Sequence, residues 1–185
     1  MDDGNIRISL IGLPGSGKSS IARLLAQHFA LELLDTDALV EIASGMRIRE
    51  FFDRCGEEQF RQMESTVLAS CLSRPESMVL ATGGGVVLRS ENRQLLRDKS
   101  LVFYLRSTPT ELAHRLRNDN KRPLLQGVDA LRKLRELAAQ RDPLYRQTAH
   151  YVVEANRSTA WGLVNWICMQ LELGGHLPST IKLAG

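Results

Sequence analysis

Ile6, Ile8 and Leu10 alternate with Arg7 and Ser9, and Ile11 then meets Gly12. A period of two predicts a short strand that ends in a glycine loop. The period then changes. Ile21, Leu24, Leu25 and Phe29 recur at helical spacing and predict a helix over 18–29. Residues 31–34 read as a second strand closed by Asp35, Thr36 and Asp37, with a helix from Ala38. Phe60, Met63, Val67, Leu68 and Cys71 predict a helix over 57–72, ended by Pro75. The apolar run at 78–81 reads as a buried strand, followed by Thr82 and three glycines.

Ser90 is the expected N-cap of a helix reaching about Arg97. Residues 101–105 form an apolar run of the kind found in parallel sheets covered on both faces. Thr108 and Pro109 suit the cap and first position of another helix. A helix over about 129–141 is expected to be interrupted by Pro143, before a strand over 150–153 and a helix over 158–171. Strand and helix alternate throughout, so the expected fold is α/β, a parallel sheet with helices on both faces. No repeat or linker divides the chain, and residues 1–185 are read as one domain. The polar stretch 117–127, broken by Pro123 and Gly127, is expected to be a mobile lid. The tail from about Gly174 has no pattern and is expected to be loosely held.

Composition narrows the classes. The 185 residues are 43% hydrophobic, enough for one globular core. A net charge of +3 suits small anionic substrates as well as any larger partner, and no nucleic-acid partner is expected. The three cysteines, Cys55, Cys71 and Cys168, form neither a disulfide framework nor a zinc site, which suits a reducing cytoplasm. The four histidines lack metal-ligand spacing. The N-terminus is acidic and carries no signal-peptide run, and no stretch approaches a membrane span. A monomer is the default, because no heptad seam stands out.

Residues 12–19 read Gly-Leu-Pro-Gly-Ser-Gly-Lys-Ser, a match to G-x-x-x-x-G-K-[ST] between a predicted strand and helix. Its glycines let backbone N–H groups wrap a phosphate, and the helix N-terminus adds partial positive charge. Gly15, Ser16, Gly17, Lys18, Ser19 and Ser20 are the expected nucleotide contacts. Lys18 would reach the terminal phosphates, and Ser19 would coordinate magnesium. A nucleoside-triphosphate-binding enzyme follows, with Mg2+ as its ion.

Five further features are weaker one at a time. Asp35 and Asp37 stand at a strand's carboxyl end, where ligands bind in open parallel sheets, though aspartates also cap helices. Arg61 has Glu64 one turn away, either as a clamp or as a solvated pair. Gly83, Gly84 and Gly85 form either a close-approach site or a plain turn. Lys121-Arg122-Pro123-Leu124-Leu125 and Arg141-Asp142-Pro143-Leu144-Tyr145 each pair an arginine with a proline turn. Their planar forks suit a carboxylate or phosphate, or they are solvated.

Together, in this order, the P-loop, D-T-D, G-E-x-x-F-R (residues 56–61), the triple glycine, R-P-L-L and R-x-P-L-Y resemble shikimate kinase over nearly the whole chain. The resemblance implies a three-layer P-loop fold of the nucleoside-monophosphate-kinase kind, with a five-stranded parallel sheet and a mobile lid. It also implies transfer of the terminal phosphate of ATP to the 3-hydroxyl of shikimate. By position it implies that Asp37 binds ring hydroxyls and stands near the reacting proton, within a substrate region at about 36–64. Arg61 and Arg141 would grip the carboxylate, beside Gly83, Gly84 and Gly85. Arg122 would close on the transferring phosphate, Arg115 would stack on adenine with Arg157 nearby, and Asp35 would support the metal. A related small-metabolite kinase would share the P-loop but not the arginine pair. A ligand-sensing module without turnover would share the fold.

Overall fold

The structure, a computed structural model, describes residues 5–116, 130–156 and 159–177. Its elements run β1 (Arg7–Ile11), α1 (Lys18–Phe29), β2 (Glu32–Asp35), α2 (Thr36–Ser44), α3 (Ile48–Leu72), β3 (Met78–Ala81) and a 3-10 turn (Val86–Leu88). Then follow α4 (Ser90–Lys99), β4 (Leu101–Arg106), α5 (Pro109–Leu116), α6 (Ala130–Thr148), β5 (Tyr151–Glu154) and α7 (Ala160–Leu173). The five strands are ordered β2-β3-β1-β4-β5, and every pairing is parallel. The α/β, five-stranded expectation is met.

Side chains alternate across the sheet, so each strand feeds two cores. On β4, Leu101, Phe103 and Leu105 join the layer formed with α1 and α7, while Val102 and Tyr104 join the layer under α3, α4, α5 and α6. Leu10, fully buried on β1, packs on the α1 side. Truncating such a leucine to alanine costs about 2–5 kcal/mol. The carboxyl ends of β1, β2 and β3 open toward the same end of the sheet, because all run in one direction.

Four local expectations change. The helix expected at 57–72 belongs to a longer element, Ile48–Leu72, whose two segments meet at Gly56 with φ 81 and ψ 171. That backbone lies in a region open to glycine, so the chain bends there while helical pairing resumes on either side. Ser90 is not the cap of α4. Arg89 occupies that place in extended backbone, and the Ser90 hydroxyl donates to Glu91. The 3-10 turn feeds α4 directly, and Asn92 and Arg93 bond back to the Val86 and Val87 carbonyls. Pro143 does not interrupt α6. The helix continues to Thr148, because Leu134 and Tyr145 are buried on either side of the proline and hold both segments to the core. The start of the tail is also tied: the His176 N–H donates to the Leu171 carbonyl, and Leu177 packs against the α1/α7 core.

Candidate functional site

The glycine loop follows β1 at the centre of the sheet. Gly17, at φ 94, turns the chain into α1, a conformation that L side chains rarely adopt. Gly12 lies against β4, where a Cβ would stand 2.7 Å from the Leu105 carbonyl oxygen. Lys18 is 7% exposed, and its ammonium donates to the Gly12 and Leu13 carbonyls at 2.8 and 3.0 Å. Its charge therefore lies over the loop formed by Gly15, Ser16 and Gly17. The Ser16 hydroxyl is buried with no hydrogen-bond partner among the described residues, which leaves a donor for an incoming oxygen. Ser20 is exposed one residue beyond Ser19.

Asp35 serves two purposes at once. Its Oδ1 accepts the Asp37 N–H at 3.0 Å and caps α2, while its Oδ2 accepts the Ser19 hydroxyl at 2.9 Å. The capping alternative is therefore realised by one oxygen, while the other is bound to Ser19. A donated Ser19 hydroxyl keeps its lone pairs outward, a hard-oxygen arrangement suited to Mg2+. Among the described residues no group of three or more His, Cys, Asp or Glu could cage a metal.

The triple glycine begins where β3 ends. Its members have ordinary negative or extended backbone, so what they supply is room. A Cβ on Gly83 would stand 2.5 Å from Asp37 Oδ1 and 2.7 Å from Glu64 Oε1. On Gly84 it would meet the Pro14 ring at 2.9 Å, and on Gly85 the Arg61 Nη1 at 2.1 Å. Three small residues thus let the glycine loop, Asp37, Glu64 and Arg61 converge. The Gly83 N–H donates to the buried Thr36 hydroxyl at 3.0 Å, tying the triplet to α2.

Arg61 is held on two sides. Nη1 donates to Glu64 Oε2 at 2.8 Å, and Nε and Nη2 donate to Glu57 Oε1 at 3.3 and 3.1 Å. Its carbon centre stands 5.2 Å from the Phe60 ring centroid. Burial lowers the Arg61 pKa, but Glu64 and Glu57 outweigh it and the net shift is upward. The Glu64 side chain is 1% exposed. Burial raises its pKa, Arg61 lowers it less, and Asp37 raises it further. Its Oε1 is buried without a hydrogen-bond partner among the described residues. The clamp alternative holds for Arg61–Glu64, and the Arg61–Glu57 pair is the more solvated one.

Arg141 comes from α6, far along the chain. Its Nη1 donates to the Gly84 carbonyl at 3.1 Å, and its buried Nε has no partner among the described residues. The Tyr145 hydroxyl donates to the same carbonyl. The Tyr145 ring stacks on Tyr104 at 4.9 Å, and the Tyr104 hydroxyl donates to Asp142 at 2.7 Å. Burial opposes ionisation of Asp142, but bonds from Arg146 and Tyr104 prevail and hold its pKa below the ordinary value.

Arg115 lies at the far end of the site, half-buried on α5. It donates to Glu111 at 3.1 Å and to the Ala155 carbonyl at 2.9 Å, so it is fastened to the segment after β5. Arg122, Arg157 and the 117–127 stretch lie outside the described residues. The sequence reading missed Glu57 and Tyr104. Glu57 stands four residues before Arg61, a helical-neighbour signal. Tyr104 is the one hydroxyl in an apolar run, which marks a polar tip needing a partner.

A family model described as "SKI: Shikimate kinase" matches residues 14–172. The shikimate kinase of Paracidovorax citrulli is 47% identical over 175 residues, covering 94% of this chain and 96% of the relative. That of Burkholderia thailandensis is 44% identical over 180 residues, covering 97% of each. Among solved structures, the shikimate kinase from Acinetobacter baumannii in complex with shikimate has a TM-score of 0.85 at 39% identity, covering 94% of this chain and 96% of its own. The enzyme from Bacteroides thetaiotaomicron gives 0.83 at 27%, covering 92% and 98%.

Proposed function

The chain belongs to the shikimate kinase family, and we propose that it transfers the terminal phosphate of ATP to the 3-hydroxyl of shikimate, yielding shikimate 3-phosphate and ADP in chorismate and aromatic amino-acid biosynthesis. The observation that carries the reading is the convergence of Arg61 and Arg141, from separate helices, on Gly84 and Gly85 beside Asp37. Two guanidinium groups at one end and a carboxylate at the other suit a small polyol acid. A polyol lacking the carboxylate loses two charge-assisted bonds of about 1.5–3 kcal/mol each.

In this reading Gly83, Gly84 and Gly85 form the substrate's backbone wall. Asp37 orients the 3-hydroxyl and stands to take its proton. The hydroxyl oxygen attacks the terminal phosphorus as the bond to the bridging oxygen breaks, and ADP leaves with that electron pair. Positioning and charge neutralisation dominate such a reaction. Lys18 exchanges its loop carbonyls for phosphate oxygens, and the Ser16 hydroxyl and the loop N–H groups add donors. Mg2+ would be held by Ser19, with Asp35 behind it, and would supply charge neutralisation at the phosphates. Arg115 would flank the adenine. Arg122 on the transferring phosphate, and Arg157 beside the nucleotide, enter from their sequence motifs alone, as does the lid at 117–127.

We place the enzyme in the cytoplasm as a monomer, acting on small molecules without nucleic acid or membrane. Cys55, Cys71 and Cys168 are free thiols, which suits a reducing compartment. No helix among the described residues is long and apolar enough to cross a membrane.

The test is ATP turnover with magnesium in a coupled assay, with shikimate, gluconate or nucleoside monophosphates as acceptor. Turnover confined to shikimate is expected. Turnover on another acceptor would remove the carboxylate clamp from the reading. Shikimate binding without turnover would favour a sensing module.

A further inference from the structure

The Gly84 carbonyl is a shared anchor. It accepts from Arg141 Nη1 at 3.1 Å and from the Tyr145 hydroxyl, and Tyr145 is fully buried. Arg141 also interacts with the Tyr145 hydroxyl itself, and its buried Nε is left without a hydrogen-bond partner among the described residues. A guanidinium held at one nitrogen, with Nε unpaired, presents the Nε–Nη2 edge as a fork for a planar anion. The direction of that fork depends on a carbonyl within three consecutive glycines, the most freely rotating backbone a chain can offer. Something rigid must fix it.

Tyr145 is that rigid group. It lies one helical turn after Arg141 on α6, on the same face, so both reach one peptide. Its ring is stacked on Tyr104 of β4, whose hydroxyl is itself bound to Asp142. Burial pushes the Tyr145 phenol above its ordinary pKa, so it remains a proton donor. Its hydroxyl is too deep to be a catalytic group, and the phosphoryl-transfer scheme above does not use it.

We propose that Tyr145 is a positioning residue for the acceptor carboxylate: by donating to the Gly84 carbonyl it fixes the glycine turn, and through that carbonyl it aims the Arg141 fork. The inference rests on the shikimate reading and deepens it. Tyr145→Phe removes the hydroxyl while keeping the ring stack. Gly84 then keeps Arg141 as its remaining side-chain donor, and guanidinium and turn drift together. A net hydrogen bond of ordinary strength corresponds to about a tenfold change in affinity.

The experiment is steady-state kinetics on four forms of the full chain: wild type, Tyr145→Phe, Arg141→Ala and the double variant. In Tyr145→Phe the KM for shikimate rises about tenfold while the KM for ATP changes less than about twofold. In the Arg141→Ala background, adding Tyr145→Phe lowers kcat/KM for shikimate by much less, because the group being aimed is gone. An unchanged shikimate KM, an equal rise in both KM values, or an undiminished effect beside Arg141→Ala overturns the inference. Loss of thermal stability alone does not reproduce that pattern, since it moves both substrates together. Wild-type turnover is measured first. Its absence removes the kinase reading and this inference with it, whereas turnover with a normal Tyr145→Phe removes the inference alone.

Discussion

The guanidinium of Arg61 occupies the space that a side chain on Gly85 would need: a Cβ there would stand 2.1 Å from Nη1, 2.4 Å from Cζ and 2.5 Å from Nη2. The arginine is in turn held by Glu64, whose burial leaves that carboxylate little freedom. The glycine and the arginine therefore form one fitted unit, although 24 positions separate them (85 minus 61).

Gly85→Ala follows from that fit. The colliding atoms are the far end of a flexible side chain, so Arg61 gives way and the backbone does not. Thermal unfolding should shift little. The KM for shikimate should rise by about ten- to a hundredfold, the range of one charge-assisted bond. Kinetics and a melting curve on the same preparation check this, and a large loss of melting temperature with normal KM would falsify the arrangement.

Asp35→Asn separates the two duties of Asp35. The amide oxygen can still accept one bond, so the cap of α2 can be kept, at a cost below about 1 kcal/mol. The negative charge behind Ser19 is lost. Half-maximal activity should then need several-fold more magnesium, with shikimate affinity unchanged. A magnesium titration reads this directly, and an unaltered curve would remove Asp35 from the metal's surroundings.

His150 sets a pH dependence of stability. Its Nδ1 accepts the Val102 N–H at 3.0 Å, which requires the neutral ring. Burial first, then the charge of Arg97 and the neighbouring His176, hold its pKa below the ordinary 6.5. Between that lowered value and 6.5 the unfolded chain binds the proton and the folded chain does not, so stability falls as pH drops through this window. Glu64 has the opposite sign, because its raised pKa favours proton uptake in the fold. Comparing wild type with His150→Gln isolates the histidine. Urea midpoints from about pH 7 to about pH 5 should fall more steeply for wild type. Parallel lines would show that His150 does not titrate between the two states.

Much of the site was legible because its signals are local. The glycine loop needs its glycines, lysine and serine within eight consecutive positions, and strand β1 and helix α1 announce themselves by period. Glu64 was found from Arg61 because helical neighbours three apart share a face. Other features gave little or no local trace. The bend at Gly56 looks in sequence like any glycine, and Pro143 reads as a break, although the buried Leu134 and Tyr145 carry α6 through it. Gly84 comes up against Pro14 because β3 and β1 are neighbours in the sheet, a pairing between remote segments that no local pattern announces.

By itself, then, the sequence determined the alternation of strand and helix, the phosphate loop and the set of charged residues available for chemistry, because periodicity and motif spacing act through neighbours along the chain. Tertiary structure alone decided that Arg61 reaches Gly85 and Arg141 the adjacent Gly84, that Asp35 divides its oxygens between a helix cap and Ser19, and that Tyr145 and Arg141 share one carbonyl. Those relations depend on parallel strands delivering their carboxyl ends to one edge of the sheet, and on side chains packing from helices remote in sequence. No local interaction encodes either.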